Sequence, residues 1–179
     1  KTFTASTGSN ISNSNDSPGG TVTIDGTPTQ GQKLTANTST ITDADGLGTF
    51  SYQWKRGGSA ITDATNDEYT LVQADVGNDI SVSVSYLDGG GTTETLTSAS
   101  KNINNLNDSP TFTSTPVTSA IEDLPYLYTV TTQDVDAGDS VTLTGTTIPS
   151  WLTFNPNNGL LTGTPTNDDV GNDNNNDVV

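Results

Sequence analysis

Ile80-Ser81-Val82-Ser83-Val84-Ser85-Tyr86 alternates an apolar or aromatic side chain with serine at every step. A strand turns successive side chains to opposite faces, so Ile80, Val82, Val84 and Tyr86 share one face and the serines the other. This run reads as a half-buried β-strand, and Asp75-Val76-Gly77 just before it reads as the corner that leads into it. Phe50, Tyr52 and Trp54 form one face of an earlier strand, while Gly57-Gly58 and Asp88-Gly89-Gly90-Gly91 are turn chemistry. Further along, Tyr126, Tyr128 and Val130 share a face, as do Val141 and Leu143. Leu152-Thr153-Phe154 and Leu160-Leu161-Thr162 flank a turn at 155–159. No stretch carries a helical period of useful length, and short strands between Gly, Asn, Asp and Pro clusters predict an all-β chain built as β-sandwich.

Landmarks around these strands occur twice. Asn15-Asp16-Ser17-Pro18 returns as Asn107-Asp108-Ser109-Pro110. Each copy precedes an Asp-X-Asp loop by similar distances, 27 residues from Asp16 to Asp43 and 26 from Asp108 to Asp134. Asp75-Val76-Gly77 then has its counterpart in Asp169-Val170-Gly171. Three markers in one order at matched spacing mean tandem modules rather than solenoid turns. Ile11 precedes Asn15 as Ile103 precedes Asn107, so residues 1–14 read as the terminal strand of a preceding module. Residues 15–106 then form one sandwich repeat and 107–179 a second. After Asp169-Val170-Gly171 comes Asn172-Asp173-Asn174-Asn175-Asn176-Asp177, where the first module has its best core strand, so the second is expected to lack its last two strands. With no methionine to open it, the chain reads as an excerpt of a longer protein.

Composition narrows the chemistry. The net charge is −16, with five basic residues and no histidine. Such a surface repels nucleic acid and anionic membrane, and it attracts divalent cations. No cysteine is present to make a disulfide or a zinc thiolate. Leu, Ile, Val and Phe make up only about a fifth of the chain, close to compositions that fail to fold. Bound calcium would supply the missing stability by neutralising clustered carboxylates and tying loops together. No apolar run approaches a membrane span, and nothing resembles a signal peptide. Without His or Cys the usual nucleophile–base pairs are missing, and no pair of carboxylates is set up for glycoside hydrolysis, so the chain is expected not to be an enzyme.

Residues 20–105 resemble an immunoglobulin-like repeat common in giant bacterial surface proteins. The likeness is carried by Ile41-Thr42-Asp43-Ala44-Asp45-Gly46-Leu47-Gly48, Tyr52-Gln53-Trp54 and Tyr69-Thr70-Leu71-Val72-Gln73-Ala74-Asp75-Val76-Gly77. Residues 108–171 resemble the cadherin-like, dystroglycan-type Ig repeat of the same proteins. The residues behind that are Ile148-Pro149-Ser150-Trp151-Leu152-Thr153-Phe154 and Gly159-Leu160-Leu161-Thr162-Gly163-Thr164-Pro165-Thr166. The resemblance implies tandem Ig-like/cadherin-like β-sandwich modules joined by short acidic linkers. It also implies an extracellular setting: RTX-type adhesins and biofilm proteins, secreted by type I systems and rigidified by calcium.

Calcium takes six to eight oxygen ligands, largely carboxylates and carbonyls from several loops. In the second module the candidates are Asn107, Asp108, Glu122, Asp123, Asp134, Asp136 and Asp139, an order that resembles the cadherin scheme. In the first they are Asp16, Asp43 and Asp45, with neutral Gln30 and Gln32 near the position of Glu122, so weaker binding is expected there. Asp88 joins them only if its loop reaches the same end of the sandwich. Acidic loops are also ordinary turn residues on a solvated surface. Trp54 and Trp151 could stack on sugars, but tryptophan in a sandwich is more often core.

The expected function is that of calcium-rigidified, non-catalytic extender repeats of a large secreted adhesin. Its partners would be neighbouring modules of the same chain, with a cell-surface glycan or protein bound through other domains. One alternative is a glycan- or protein-binding adhesion module. Another is a filament subunit, in which a free terminal strand at residues 1–14 completes the open second module of another chain by strand addition.

Overall fold

The computed structural model describes residues 12–170. The chain divides into two compact units, one running to Leu106 and the other beginning at Asn107. The expected terminal strand at residues 1–14 falls largely outside the described residues, as does the acidic tail from Gly171 onward. Residues 12–14 are exposed and carry no strand.

The first unit contains β1 (Thr23–Asp25), β2 (Lys33–Asn37), β3 (Ser51–Arg56), β4 (Ser59–Ala60), β5 (Glu68–Thr70), β6 (Asp79–Leu87), β7 (Thr93–Thr97) and β8 (Lys101–Asn102). All pair antiparallel in two sheets, β1-β2-β5 and β4-β3-β6-β7, with β8 also on β6. The alternating run becomes β6 and the centre of the larger sheet. Ile80, Val82 and Val84 are fully buried and Tyr86 nearly so. They pack with Val22, Ile24, Leu34, Ala36 and Leu71 in one core, as two apolar sheet faces must. β3 and β4 are joined by Gly57-Gly58 at φ 53° and 82°, a two-residue hairpin turn open to glycine because both residues lie in left-handed space.

One face of β6 differs from expectation. Ser81 is buried rather than solvent-facing. The Val82 N–H bonds the Ser98 hydroxyl at 3.0 Å, and Ser98 itself donates its backbone N–H to Val82 O at 2.9 Å. Ser98 thus fills the gap where β6 passes from pairing with β8 to pairing with β7.

The second unit holds β9 (Thr111–Phe112), β10 (Tyr126–Thr129), β11 (Thr132–Gln133), β12 (Leu152–Asn155) and β13 (Leu160–Gly163). Sheet β10-β13-β12 and the pair β11-β9 are antiparallel. Its core is small: Tyr126 and Leu152, with Tyr128, Ile148, Trp151 and Leu161 against them. Tyr126 meets Trp151 edge-to-face at 5.6 Å and donates its hydroxyl to Val117 O at 2.7 Å. The expected strand face of Val141 and Leu143 is not a strand; their alternation is real, but no described backbone offers them a ladder. Leu143 instead lines a cleft of about 280 Å³, mixed in polarity, with Phe112, Val130, Ile148, Phe154 and several threonines, and Phe112 is 75% exposed. The described chain is all-β, with no α-helix.

The phenols offer a test of both cores. Burial raises the pKa of Tyr69 and Tyr126, with the Asp75 carboxylate adding to the first and Tyr128 to the second. A raised folded-state pKa means full stability below the ordinary tyrosine value near ~10 and loss of stability as pH climbs above it. As pH rises through the alkaline range, melting temperature is therefore expected to hold until about pH 10 and then fall, with phenolate absorbance and near-UV dichroism changing together. Ordinary titration of every tyrosine with the fold intact would contradict this.

Candidate metal centre

In the second unit, pairing of β11 with β9 carries the chain after Gln133 alongside the chain before Thr111. The Asp-X-Asp loop therefore meets the Asn107-Asp108 linker. The Asp136 N–H bonds Asp134 Oδ1 at 3.0 Å, a side chain-to-backbone turn typical of aspartate. The Asp108 N–H bonds Asp136 Oδ2 at 2.5 Å. Gly138, at φ 99°, turns the loop back so that the Asp139 N–H reaches Asp136 O at 3.3 Å. As a result Asp134, Asp136 and Asp139 each bring a carboxylate oxygen within 4.8 Å of the others, the one such group among the described residues. Asp136 is only 5% exposed. Like charges held this close repel, most strongly where water is excluded. The cluster could hold a cation, with hard oxygens suited to calcium or magnesium.

The other predicted ligands of this unit are placed differently. Asn107 donates its side-chain amide to Asp108 O at 3.0 Å. Glu122 and Asp123 are exposed in the turn before β10, where the Asp123 N–H bonds Pro165 O at 2.9 Å. The run from Tyr126 to Asp134, with β10 and β11 in it, lies between that turn and the cluster in the chain, and neither residue belongs to the cluster. The structure brings Asp108, Asp134, Asp136 and Asp139 together and leaves Glu122 and Asp123 apart.

The first unit repeats the same bonds. The Asp16 N–H reaches Asp45 Oδ2 at 2.7 Å, and the Asp45 N–H reaches Asp43 Oδ1 at 2.9 Å. Here the remaining oxygens have protein donors: Tyr86 O–H to Asp43 Oδ2 at 2.5 Å and the Asn13 amide to Asp45 Oδ1 at 2.6 Å. The Asp16 N–H, then Asn13, hold the Asp45 carboxyl below the usual carboxylate range. Gln30 Oε1 accepts the Leu106 N–H at 3.4 Å. The β6–β7 loop does reach this end, because the Gly89 N–H bonds Asp45 O at 3.0 Å. A Cβ at residue 89 would sit 2.4 Å from that oxygen, so only glycine allows the approach.

Sequence reasoning missed a highly connected carboxylate among the described residues. Asp75 is fully buried and accepts from Arg56 Nε at 2.7 Å, Tyr69 O–H at 3.0 Å and Val72 N–H at 2.8 Å. The recurrent Asp-Val-Gly triplet marked the corner but gave no sign of the arginine.

Residues 109–174 match the model of a family described as Putative Ig domain. It is a non-catalytic Ig-like family, typical of extracellular repeat proteins. No curated protein matches the chain. No helix among the described residues is long and apolar enough to cross a membrane.

Proposed function

We propose that the Asp134, Asp136 and Asp139 cluster binds calcium, and that the chain is a run of calcium-stiffened, non-catalytic spacer repeats in a large extracellular adhesin of RTX type. The convergence of those three carboxylates carries this reading. Asp108 bonds the buried member of the cluster through its backbone, so an ion there would brace the chain entering β9. Calcium at the cluster would offset the carboxylate repulsion and favour the folded unit over the unfolded chain. Neighbouring modules are the partners of such a spacer, and any glycan or protein target would be met by other domains.

Thermal unfolding with calcium, with magnesium and with excess EGTA at fixed ionic strength tests this. At a calcium concentration one hundred times Kd the second unit should gain about 2.7 kcal/mol. Asp136→Asn keeps an acceptor for the Asp108 N–H and should remove the calcium-dependent gain. Asp67→Ala, outside the clusters, should leave it. Equal responses from the two variants would refute the assignment.

The cleft beside exposed Phe112 favours a second reading, strand addition between chains. Its lining of Phe112, Leu143, Ile148 and Phe154 is the kind of groove an added β-strand covers. Deleting residues 1–14 without effect on assembly would exclude that segment as the donor.

A further inference from the structure

We infer that Asp88, with Asp43 and Asp45, forms a separate cation site in the first unit, taking a hard divalent ion such as calcium. Asp88 follows β6 and is 6% exposed. Its Oδ1 accepts the Thr92 N–H at 2.7 Å, whereas Oδ2 is buried with no hydrogen-bond partner among the described residues. An ionised carboxylate can only accept, so an oxygen withdrawn from water requires a donor or a cation. An orphaned acceptor of this kind marks a missing water or ion.

The surroundings decide between the two. A point one Cβ length from Gly90 lies 3.4 Å from Asp88 Oδ1 and 3.2 Å from Asn13 Nδ2, and that same amide donates to Asp45 Oδ1. With the Gly89–Asp45 backbone bond, three loops meet here: the one before β1, the β2–β3 loop and the β6–β7 loop. Glu94 stands at the edge of the group, bonded to the Asn15 amide at 2.8 Å. The ion pairs among the described residues, Lys33–Glu68 and Arg56–Asp75, involve none of these carboxylates.

A divalent ion would neutralise this concentration of charge and give Asp88 Oδ2 its partner, which a single water does only in part. The oxygens of Asp43, Asp45 and Asp88 stand wider apart than those of Asp134, Asp136 and Asp139, so the ion must draw them inward. Asn13 can assist, because turning its amide replaces the nitrogen at Asp45 with an oxygen ligand.

The site stands on its own observation, and its test separates it from the second-unit cluster. Calcium is titrated calorimetrically into the full chain and into a background carrying Asp134→Asn, Asp136→Asn and Asp139→Asn. One binding event is expected to survive in that background, and adding Asp88→Asn should weaken it at least about tenfold. Without calcium, Asp88→Asn should melt no lower than its parent, since removing an uncompensated buried charge relieves the same penalty as the ion. If Asp88→Asn disturbs the near-UV dichroism of the fold, Asp45→Asn, on a half-exposed side chain, gives the same comparison. Loss of all calcium binding in the background alone would overturn this site while sparing the second-unit proposal. Unchanged affinity on replacing Asp88 or Asp45 would also overturn it.

Discussion

Replacing Asp75 with alanine is expected to destabilise the first unit by about 3–5 kcal/mol. Asp75 is fully buried, and its two oxygens serve the Arg56 guanidinium, the Tyr69 hydroxyl and the Val72 N–H. Alanine leaves all of these donors without their acceptor, and buried donors left unsatisfied cost more than the bonds themselves contribute. Arg56 is 31% exposed and recovers some hydration, which keeps the loss within this range. Asp169 is the internal control. It occupies the matching place at the end of a second 3-10 turn but is half exposed, and among the described residues it accepts from the Thr166 N–H and hydroxyl, at 2.8 and 2.9 Å. Asp169→Ala should cost about 1 kcal/mol, a capping loss. Urea denaturation of the two variants makes the comparison, and similar losses would show that burial and the ion pair contribute nothing to Asp75.

These two aspartates show what the sequence could reveal. The Asp-Val-Gly triplets, the Asn-Asp-Ser-Pro linkers and the Asp-X-Asp loops recur because they encode local geometry. The Asp-X-Asp loops each close a turn bonded over two residues, and the Asn-Asp linker bonds across to that loop, in both units. Alternation in β6 was equally legible, since period two is a local property. Three features were not. Arg56 reaches Asp75 across the sandwich, and nothing near either residue announces the other. Ser81 is buried where β6 changes strand partner from β8 to β7, a consequence of sheet order. Val141 and Leu143 alternate as a strand would, yet a strand exists only where another backbone completes its ladder.

The candidate sites divide along the same line. Asp134, Asp136 and Asp139 lie within six residues, so their convergence follows from one loop. Whether Glu122 and Asp123 join them depends on the length and direction of β10 and β11, which lie between the two groups in the chain. Asp88 is the reverse case. Its approach to Asp45 rests on Gly89 donating across two loops, and the stretch Asp88-Gly89-Gly90-Gly91 reads locally as an ordinary turn.

Trp54→Ala should be comparably damaging, about 3–5 kcal/mol. The indole is fully buried at the centre of the first core, stacked on Tyr69 with ring centroids 5.7 Å apart. Its Nε1–H bonds Asn66 O at 2.9 Å, and its backbone exchanges bonds with the crossing segment, N–H to Ala64 O and O from the Ile61 N–H, each at 2.9 Å. Alanine keeps those backbone bonds but opens a cavity and strands the Asn66 carbonyl. Trp54→Phe retains most of the apolar volume and loses the indole bond, so it should cost less, about 1–2 kcal/mol. Trp151 is half buried against Tyr126 in the smaller core, and Trp151→Ala should fall well below Trp54→Ala because less area leaves water when that unit folds. Full burial also prevents Trp54 from stacking on a sugar, so its loss should appear in stability alone. Urea unfolding of the three variants, followed by circular dichroism, measures the order. A Trp54→Ala chain as stable as Trp151→Ala would mean that the first core closes over the gap, contrary to the tight packing seen around the indole.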